Sequence, residues 1–349
     1  MPILPNFIER LVLLTFNQGP GLMLDFLGAQ AFRAVGVGVR LGVFEALSGG
    51  PWTAAETARQ VQASERGVTL LLDALESLGY VQEKDGRYVN TPMTVKWLLH
   101  SSPTSLAGGV PFFESMVFDR WEHLGESIRR GKPALYGSEW LDQHPGGYRI
   151  YEEGMIAVAR MAADEVIAKA KFPPTARRLL DVGGGHGLYS IRFCRRYPAL
   201  SATVFDLAPA VEVARETITA EGMGGRVTAQ TGDVWLDDLG AGYDVALLFN
   251  LIHAYLPDKN IELLGKVAGA LNRGGQIVIM EQVAGKVFGT TGKVLARLQA
   301  LNYFNDLEAQ TYAFEDIAGW LTQAGFVNPR RINLLKTPGF ALVLGTTTS

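Results

Sequence analysis

The chain has 349 residues, of which 48% are hydrophobic and 19% are charged. This is an ordinary globular composition with room for two domains that each have a core. The formal net charge of −3 at pH 7 gives no overall drive toward nucleic acid or an anionic membrane surface. The single cysteine, Cys194, excludes an internal disulfide framework and a thiolate metal cluster. We therefore expect no bound metal and a cytoplasmic location.

The stretch between residues 7 and 47 is rich in apolar residues, but charged side chains and Pro20 interrupt it. No apolar run reaches the roughly 20 residues that cross a bilayer. Glu9 and Arg10 stand where the apolar core of a signal peptide would begin. We expect no membrane partner, and we interpret this stretch as helices that need a large partner surface.

Two short helices and a hairpin are predicted next. Thr53 and Glu56 form a capping-box pattern at the first helix start, and Ser64 can cap a second helix with one apolar face. Asp85 and Gly86 suit the positive φ angles of a tight turn between two strands. Helix, helix and hairpin together are typical of a winged helix.

DNA binding is one function of a winged helix. The second predicted helix, however, mixes acidic and basic residues, and so does the wing with Glu83, Lys84 and Arg87. DNA phosphates would meet as much negative as positive charge. We therefore favour a packing or dimerisation module and expect no nucleic-acid partner.

From residue 178 the sequence alternates apolar runs with helical stretches, which is typical of a parallel sheet covered on both faces. The five runs are Arg178–Val182, Ala202–Phe205, Val227–Gln230, Val245–Phe249 and Gln276–Met280. A closing antiparallel hairpin is predicted from 331–335 and 340–344. The C-terminal half is thus predicted to be an α/β doubly wound domain.

The first run leads into a glycine-rich turn. Asp181 precedes Gly183, Gly185 and Gly187, and glycines let a backbone approach a ligand closely at the carboxyl end of a strand. A dinucleotide fingerprint would need its third glycine one residue later, at Leu188. The acidic-G-x-G-x-G form therefore predicts a different nucleoside ligand, and a purely structural turn is the alternative.

Carboxylates also end the next two runs. Asp206 is placed to accept both hydroxyls of a ribose. Asp233 is placed to accept the exocyclic amine of adenine, with Val234 or Trp235 packing on the ring. Each aspartate alone could equally be a helix cap, but their positions at successive strand ends favour a nucleoside site.

These segments resemble the S-adenosylmethionine-dependent methyltransferase family that includes plant caffeate O-methyltransferases, acetylserotonin O-methyltransferase and bacterial antibiotic-pathway enzymes. The matching stretches, in the family's order, are LLDVGGGHGLYSIRFCRRYP, VFDL, GDVW, NLIHAYLPD, GGQIVIMEQ and WLTQAGF. The resemblance implies S-adenosyl-L-methionine as cofactor, S-adenosyl-L-homocysteine as its product, and a homodimer.

The resemblance further implies a class I methyltransferase, Rossmann-like doubly wound sheet behind an N-terminal helical, winged-helix-like dimerisation domain. The implied limits are 1–104 for the dimerisation domain and 105–349 for the methyltransferase domain. Within the latter, 105–172 would form bridging and substrate-pocket helices, and 173–349 the Rossmann-like core. Leu207, in the VFDL stretch, is included in the cofactor site.

By the same resemblance His253 is the general base and Glu281 is the carboxylate that orients it. The methyl group is already activated in the cofactor, so the enzyme has mainly to align the acceptor and remove its proton. A histidine suits proton removal near neutral pH. A structural histidine is the alternative.

The chain departs from the family pattern in three places. The aspartate that often follows the histidine is Ala254 here, and the second family carboxylate aligns with Ala309, which leaves Glu308 as a substitute. The residue that often contacts the methionyl carboxylate is Phe249 or Asn250, and Asn250 is the one able to hydrogen-bond. Without the second carboxylate, base catalysis on an oxygen is less secure.

Soft apolar and aromatic side chains are candidates for the acceptor pocket. Met155 and Met161 match in rough position the methionines that line the family's methyl-transfer pocket, although core packing is the alternative role. Side chains that would suit a flat ring are Phe112, Phe113, Met116, Phe118, Tyr303 and Phe304. The same residues could simply form core.

The sequence therefore predicts methyl transfer to a hydroxyl of a small aromatic or polyketide-like molecule. Methylation of carbon or nitrogen is the nearest alternative. Alternatives from another class are a cofactor-binding protein that transfers no methyl group and a winged-helix regulator. The identity of the acceptor is not encoded in any motif.

Overall fold

The computed structural model describes residues 6–16, 18–285, 287, 289–307 and 310–348. The chain forms two compact units that divide between Glu114 and Ser115. The division lies inside a helical segment, Phe112–Val117. The predicted domain limits at 104 and 172 are not tested by this division and stay predictions.

The N-terminal unit is helical apart from one hairpin. Its elements in the described residues are α1 (Phe7–Arg10), α2 (Gly21–Arg40), α3 (Val43–Ala46), α4 (Ala54–Gln60), α5 (Glu65–Ser77), β1 (Val81–Lys84), β2 (Arg87–Asn90) and α6 (Pro92–Trp97). Shorter helical turns are Leu11–Thr15, Leu47–Gly49 and Ala107–Gly109. The core of this unit is built from α2, α3, α5 and the hairpin.

The helix starts and the turn predicted in this unit are confirmed. Thr53 N–H donates to Glu56 Oε2 at 2.8 Å, and Glu56 N–H donates to Thr53 Oγ1 at 3.2 Å, which completes the capping box. Ser64 Oγ accepts from the backbone of α5. Asp85 and Gly86 have φ angles of 53° and 74°, as the tight turn between β1 and β2 requires.

Helix α2 runs through the charged residues that were expected to interrupt the apolar stretch. Pro20 is its N-cap residue, a position that tolerates the missing N–H, and Asp25 and Arg33 project from the helix without ending it. By length and composition alone α2 is apolar enough to cross a bilayer. The absence of a membrane partner therefore stays a prediction.

The C-terminal unit alternates helices and strands. Its elements in the described residues are α7 (Phe118–Glu122), α8 (Leu124–Arg130), α9 (Gly137–Gln143), α10 (Gly147–Lys169), β3 (Arg178–Val182), α11 (Leu188–Arg196), β4 (Ser201–Asp206), α12 (Ala208–Ala220), β5 (Val227–Thr231), β6 (Tyr243–Phe249), α13 (Pro257–Ala270), β7 (Leu271–Ala284), α14 (Thr290–Leu307), β8 (Tyr312–Ala313), α15 (Phe314–Gln323), β9 (Phe326–Asn333) and β10 (Phe340–Thr347). A helical turn, Ile252–Ala254, follows β6.

The strands of this unit form one sheet in the order β5-β4-β3-β6-β7-β10-β9, with β8 beside β7. Strands β3 to β7 are parallel, and β10 runs antiparallel to both β7 and β9. Leu179 packs into the core on one face of the sheet, whereas Leu180 and Val182 pack on the other. The predicted doubly wound α/β class is confirmed.

Two strands depart from their predicted limits by five residues at one end, and the other predicted strands of the sheet by three or fewer. β7 begins five residues early, at Leu271, because its pairing with β6 shifts register around Gly274, which has a φ of 72°. β9 begins at Phe326 and ends at Asn333 because Phe326 pairs with Thr347 of β10. Leu334 and Leu335, placed in that strand by the sequence, lie in the connection to β10 instead.

The order of the strands fixes where a ligand site can form. In an open parallel sheet, ligands bind beyond the carboxyl ends of the strands where the strand order reverses direction. Here that point lies between β3, whose other neighbour is β4, and β6, whose other neighbour is β7. Most of the predicted cofactor and catalytic residues lie at or beyond the carboxyl ends of these four strands, and Asp233 and Val234 follow β5.

Candidate active site

The turn after β3 requires its glycines. Gly183, Gly185 and Gly187 have φ angles of 65°, 48° and 71°, in a region that L-residues rarely adopt. A Cβ on Gly185 would also lie 2.7 Å from Oε2 of Glu152 on α10. The turn therefore brings bare backbone against α10 and leads directly into α11.

Asp181 lies beneath this turn rather than on its surface. Its carboxylate is 2% exposed and accepts a hydrogen bond from Ser190 Oγ on α11 at 2.7 Å. Burial raises the pKa of Asp181 to about 7, against the lowering effect of the Ser190 bond. This carboxylate holds the first turn of α11 against β3.

Asp206, at the end of β4, fixes the geometry of the glycine turn. Its Oδ2 accepts from Gly185 N–H at 2.8 Å, and its Oδ1 accepts from Leu207 N–H at 2.7 Å. Burial raises the pKa of Asp206, and these two backbone bonds oppose the rise. Each carboxylate oxygen can accept more than one hydrogen bond, so both remain able to accept from a ribose hydroxyl.

The turns after β5 and β6 contain the other predicted cofactor residues. Asp233 Oδ1 accepts from Trp235 N–H at 2.8 Å, so one of its oxygens closes a local turn. Val234 packs against the apolar core beneath it. Asn250 has a φ of 52° and donates its N–H to Met280 O at 2.9 Å, which ties the end of β6 to β7.

His253 and Glu281 meet beyond the ends of β6 and β7. Nδ1 of His253 lies 2.8 Å from Glu281 Oε1, and the backbone N–H of His253 lies 3.3 Å from Oε2. Glu281 is fully buried. A carboxylate oxygen accepts at such a contact, so Nδ1 is the donor, and in the neutral form of the ring Nε2 then keeps its lone pair. This is the tautomer that a general base needs.

A tyrosine from α14 covers one face of this histidine. The rings of Tyr303 and His253 stack with centroids 4.0 Å apart and an interplanar angle of 12°. Burial, with Glu281 nearby, raises the pKa of Tyr303 well above its usual value, so the phenol stays neutral. The stack and the Glu281 bond together fix the plane of the imidazole.

The predicted pocket residues do not all share one face. On α10, Met155 is three residues after Glu152 and Met161 nine, which sets Met161 roughly half a turn from Glu152 around the helix axis. Met116 is buried in the C-terminal unit. Phe112 is buried in the N-terminal unit, with its ring 5.2 Å from that of Phe113.

Two further acidic residues, Glu152 and Asp306, lie near the site residues described above. Glu152 and Asp306 were missed by sequence reasoning, since nothing in their neighbourhoods distinguishes them from surface acids. Asp306 is paired with the buried Arg120; burial raises the pKa of Asp306, and the nearby Arg120 and His253 oppose the rise. Glu308, the predicted substitute for the second carboxylate, lies outside the described residues. Among the described residues, no cluster of three potential ligands is placed to hold a metal ion.

Two models of known protein families match this chain. Residues 121–327 match the O-methyltransferase domain, and residues 25–101 match the O-methyltransferase dimerisation domain. The chain belongs to the O-methyltransferase family. It is by family and fold a methyltransferase of the class that uses S-adenosylmethionine, and its N-terminal unit includes the family's dimerisation domain.

Relatives of this family member differ in the atom they methylate. The chain is 28% identical over 330 residues to 3-hydroxy-5-methyl-1-naphthoate 3-O-methyltransferase of Streptomyces sahachiroi. The aligned region covers 93% of this chain and 95% of that protein. It is 25% identical over 333 residues to L-tyrosine C(3)-methyltransferase of Streptomyces lavendulae, with coverage of 92% and 90%. The structure of human N-acetylserotonin methyltransferase in complex with S-adenosylmethionine is similar in fold, with a TM-score of 0.82, 22% identity and coverage of 94% and 97%.

The residues around the glycine turn fit S-adenosylmethionine. Asp206 keeps acceptor capacity for the ribose, and a Cβ on Gly185 would collide with the carboxyl group of Glu152. Glu152 Oε2, which faces that glycine, is buried and has no hydrogen-bond partner. A ligand with hydroxyl and ammonium donors would satisfy both carboxylates.

Proposed function

We propose that this protein transfers the methyl group of S-adenosylmethionine to a hydroxyl of a small aromatic or polyketide-like molecule, with His253 as general base and Glu281 as its orienting carboxylate. The observation that carries the proposal is the 2.8 Å contact between His253 Nδ1 and Glu281 Oε1 beyond the same sheet edge as the glycine turn. A base beside a cofactor site is what methylation of a weakly acidic hydroxyl requires.

The residues around the glycine turn bind the cofactor, and His253 removes the proton of the acceptor. Asp206 binds the ribose of the cofactor, and the backbone of Gly183, Gly185 and Gly187 lies along it. Leu207, Asp233, Val234 and Asn250 complete the proposed cofactor site, and Asp181 supports the turn from beneath. When bound, the cofactor supplies a methyl group on a cationic sulfur.

Proton removal is the part that His253 performs. Nε2 of His253 would take the proton of the acceptor hydroxyl as the acceptor oxygen receives the methyl group, which the bound cofactor would supply from its cationic sulfur with a neutral thioether left behind. The resulting imidazolium would stay paired with Glu281. That pairing stabilises the charged ring without the carboxylate having to take a proton.

The acceptor is inferred to be a flat ring system. Tyr303 stacks on the base and so puts an aromatic side chain beside it, and Met155, on the helix that carries Glu152, is proposed as soft apolar lining. Met161, Met116 and Phe112 stay predictions as pocket residues. The S. sahachiroi relative, named for a hydroxynaphthoate, makes bicyclic phenols the first acceptors to test.

Methylation of carbon is the second candidate. It is favoured by the relative named for the C(3) position of tyrosine and by Ala309, which stands where the family pattern has its second carboxylate. Nitrogen methylation follows from the same fold. A cofactor-binding protein without transfer activity, or a regulator, would not need the buried His253–Glu281 pair.

The protein is also inferred to be a homodimer whose interface includes α2 and which works in the cytoplasm. Leu22 and Phe26 of α2 are 77% and 53% exposed, and most of α2 from Asp25 onward lies within the matched dimerisation domain. Helix α4, helix α5 and the β1–β2 hairpin support the winged-helix interpretation of that domain.

The dimer has its own test. Because exposed apolar surface of this extent is uncommon on monomers, light scattering after size exclusion should give twice the mass of one chain, and Phe26→Glu should shift the mass toward one chain. Leu335→Glu, at an exposed apolar position in the other unit, is the matched control. A wild-type mass of one chain at micromolar concentration would overturn this inference.

The function is tested by product analysis. Purified protein is incubated with S-adenosylmethionine and, in turn, 3-hydroxy-1-naphthoate, N-acetylserotonin and tyrosine, and the products are separated by mass spectrometry. A methyl ether of a phenol supports the proposal. A carbon-methylated product supports the second candidate, and binding of the cofactor without transfer to any member of a wider phenol panel favours the non-methylating alternative.

A further inference from the structure

Glu152 is a buried carboxylate without a counter-ion. It lies on α10, is 4% exposed, and points its Oε2 at Gly185 in the glycine turn. That oxygen has no hydrogen-bond partner. Among the residues that the structure describes, no lysine, arginine or histidine forms an ion pair with it. A buried, unpaired carboxylate costs stability unless a ligand satisfies it.

The groups that face Glu152 add negative charge rather than positive. Asp206 approaches it from β4, and the backbone of His186 in the glycine turn hydrogen-bonds its carboxyl. The ring of His186 cannot serve as the cation, since its Nδ1 accepts from Leu188 N–H at 3.0 Å and burial, with Arg160 nearby, lowers its pKa to about 4. Asp181 beneath the turn is a further acid.

This environment keeps a proton on Glu152 when no ligand is bound. Burial first, and the charge of Asp206 second, raise the pKa of Glu152 to about 8. At neutral pH the carboxyl is therefore mostly protonated. A cationic hydrogen-bond donor that contacts Oε2 of Glu152 would reverse that preference.

We propose that Glu152 binds the α-ammonium group on the methionyl part of the cofactor, and that its proton leaves to solvent as the ion pair forms. The proposal rests on the proposed function, since it takes S-adenosylmethionine as the ligand. An ammonium group offers three N–H donors, whereas the sulfonium offers none, and the ribose hydroxyls are already matched by Asp206. Glu152 is thus a binding residue that ties cofactor affinity to pH.

Three ligands separate the parts of the cofactor. S-adenosylmethionine has both the ammonium and the sulfonium, S-adenosylhomocysteine keeps the ammonium alone, and 5′-methylthioadenosine keeps the ribose and adenine without the amino acid. Calorimetric titration at pH 8 should show that Glu152→Gln binds the first two about 10- to 100-fold more weakly than wild type, the scale of one charge-assisted bond. Affinity for 5′-methylthioadenosine should be unchanged.

The matched control is Glu153→Gln. Glu153 is the next residue on α10, and its charge acts on Arg149 rather than on the glycine turn. It should leave all three affinities unchanged. Glu152→Asp keeps a carboxylate on a shorter side chain and should retain part of the affinity, which distinguishes loss of charge from damage to the helix. Circular dichroism of each variant confirms that it is folded.

Proton release gives a second readout that does not depend on activity. Titrations of S-adenosylhomocysteine at pH 7 in two buffers of different ionisation enthalpy should show that wild type releases most of one proton, and Glu152→Gln should release almost none. Wild-type affinity should rise by up to about tenfold per pH unit between pH 6 and 8. Glu152→Gln should show a flatter dependence.

Each other outcome overturns a specific statement. Equal weakening of 5′-methylthioadenosine would assign Glu152 to the ribose, and weakening of S-adenosylmethionine alone would assign it to the sulfonium; both contradict the ammonium assignment. Unchanged affinities in Glu152→Gln would remove the binding role altogether. If wild type binds none of the three ligands, the proposed function fails, and with it this inference.

Discussion

The two halves of the site are built in different ways. Around the glycine turn, the geometry comes from the backbone: three glycines with positive φ, and N–H groups held by Asp206. Around His253 it comes from side chains that are distant in sequence, with Glu281 from β7 and Tyr303 from α14. The first half is suited to a cofactor that is common to the class, whereas the second can change with the acceptor.

Removal of the base should give the largest effect and should leave the cofactor half intact. We expect His253→Ala to lower kcat by about 10²- to 10⁴-fold, the usual scale for a positioned general base, with affinity for S-adenosylhomocysteine nearly unchanged. The measurement is steady-state kinetics beside calorimetry. His100→Ala, an exposed histidine of the other unit, is the control. A variant with near-native turnover at neutral pH would show that His253 is not the base.

Changing the orienting carboxylate should have a smaller effect on the same half. In Glu281→Gln the amide can still hold the imidazole by a hydrogen bond, but it cannot stabilise the imidazolium that forms. We expect a fall in kcat smaller than that of His253→Ala, together with a shifted pH–rate profile. A loss equal to that of His253→Ala, with an unshifted profile, would mean that Glu281 acts by holding the fold.

The cofactor half should respond in binding rather than in turnover. Asp206→Ala removes a charge-assisted acceptor, so affinity for S-adenosylmethionine and S-adenosylhomocysteine should fall by about 1.5 to 3 kcal/mol. At saturating cofactor, kcat should change far less than it does in His253→Ala. Calorimetric titration decides the first point. Unchanged affinity, or preferential binding of a nicotinamide dinucleotide, would contradict the assignment of the glycine turn.

The remaining prediction concerns the pH dependence of the stability of the ligand-free protein rather than binding or turnover. The native pKa of Glu152 is raised to about 8 from an ordinary 4.5, so between these values the native state binds the proton more tightly than the unfolded state. Its contribution to the free energy of unfolding therefore falls as pH rises toward 8. The Tm of Glu152→Gln relative to wild type should rise from pH 5 to pH 8.5, while Glu153→Gln shows no such trend. A flat difference for Glu152→Gln would contradict the raised pKa.

Sequence reasoning reached the backbone-built half of the site more fully than the other. Gly183, Gly185 and Asp206 could be placed because a strand end and a glycine turn are local patterns with a fixed meaning. Glu152 could not, since its importance comes from a helix that folds back onto the turn. Tyr303 was marked only as an aromatic pocket candidate; its stack on His253 depends on how α14 packs.

In the fold, too, local patterns could be predicted from the sequence, whereas features set by tertiary pairing could not. The five parallel strands and the first hairpin were predicted from apolar alternation and turn residues, and all were found. The early start of β7 and the displacement of β9 toward Phe326 were missed because pairing register, not composition, sets those limits. The length of α2 was missed because charged residues at its surface were taken as interruptions.

The central claim is that the protein methylates an oxygen whose proton His253 removes. In the most direct measurement, wild type or His253→Ala is incubated with S-adenosylmethionine labelled with ¹³C in the methyl group and with a bicyclic phenol such as 3-hydroxy-1-naphthoate. The position of the label in the product is then found by NMR. We predict the label on the phenolic oxygen with wild type, and its near absence with His253→Ala at neutral pH with partial recovery as the phenol ionises at higher pH. Label on a ring carbon, or equal transfer by both proteins at neutral pH, would contradict this account.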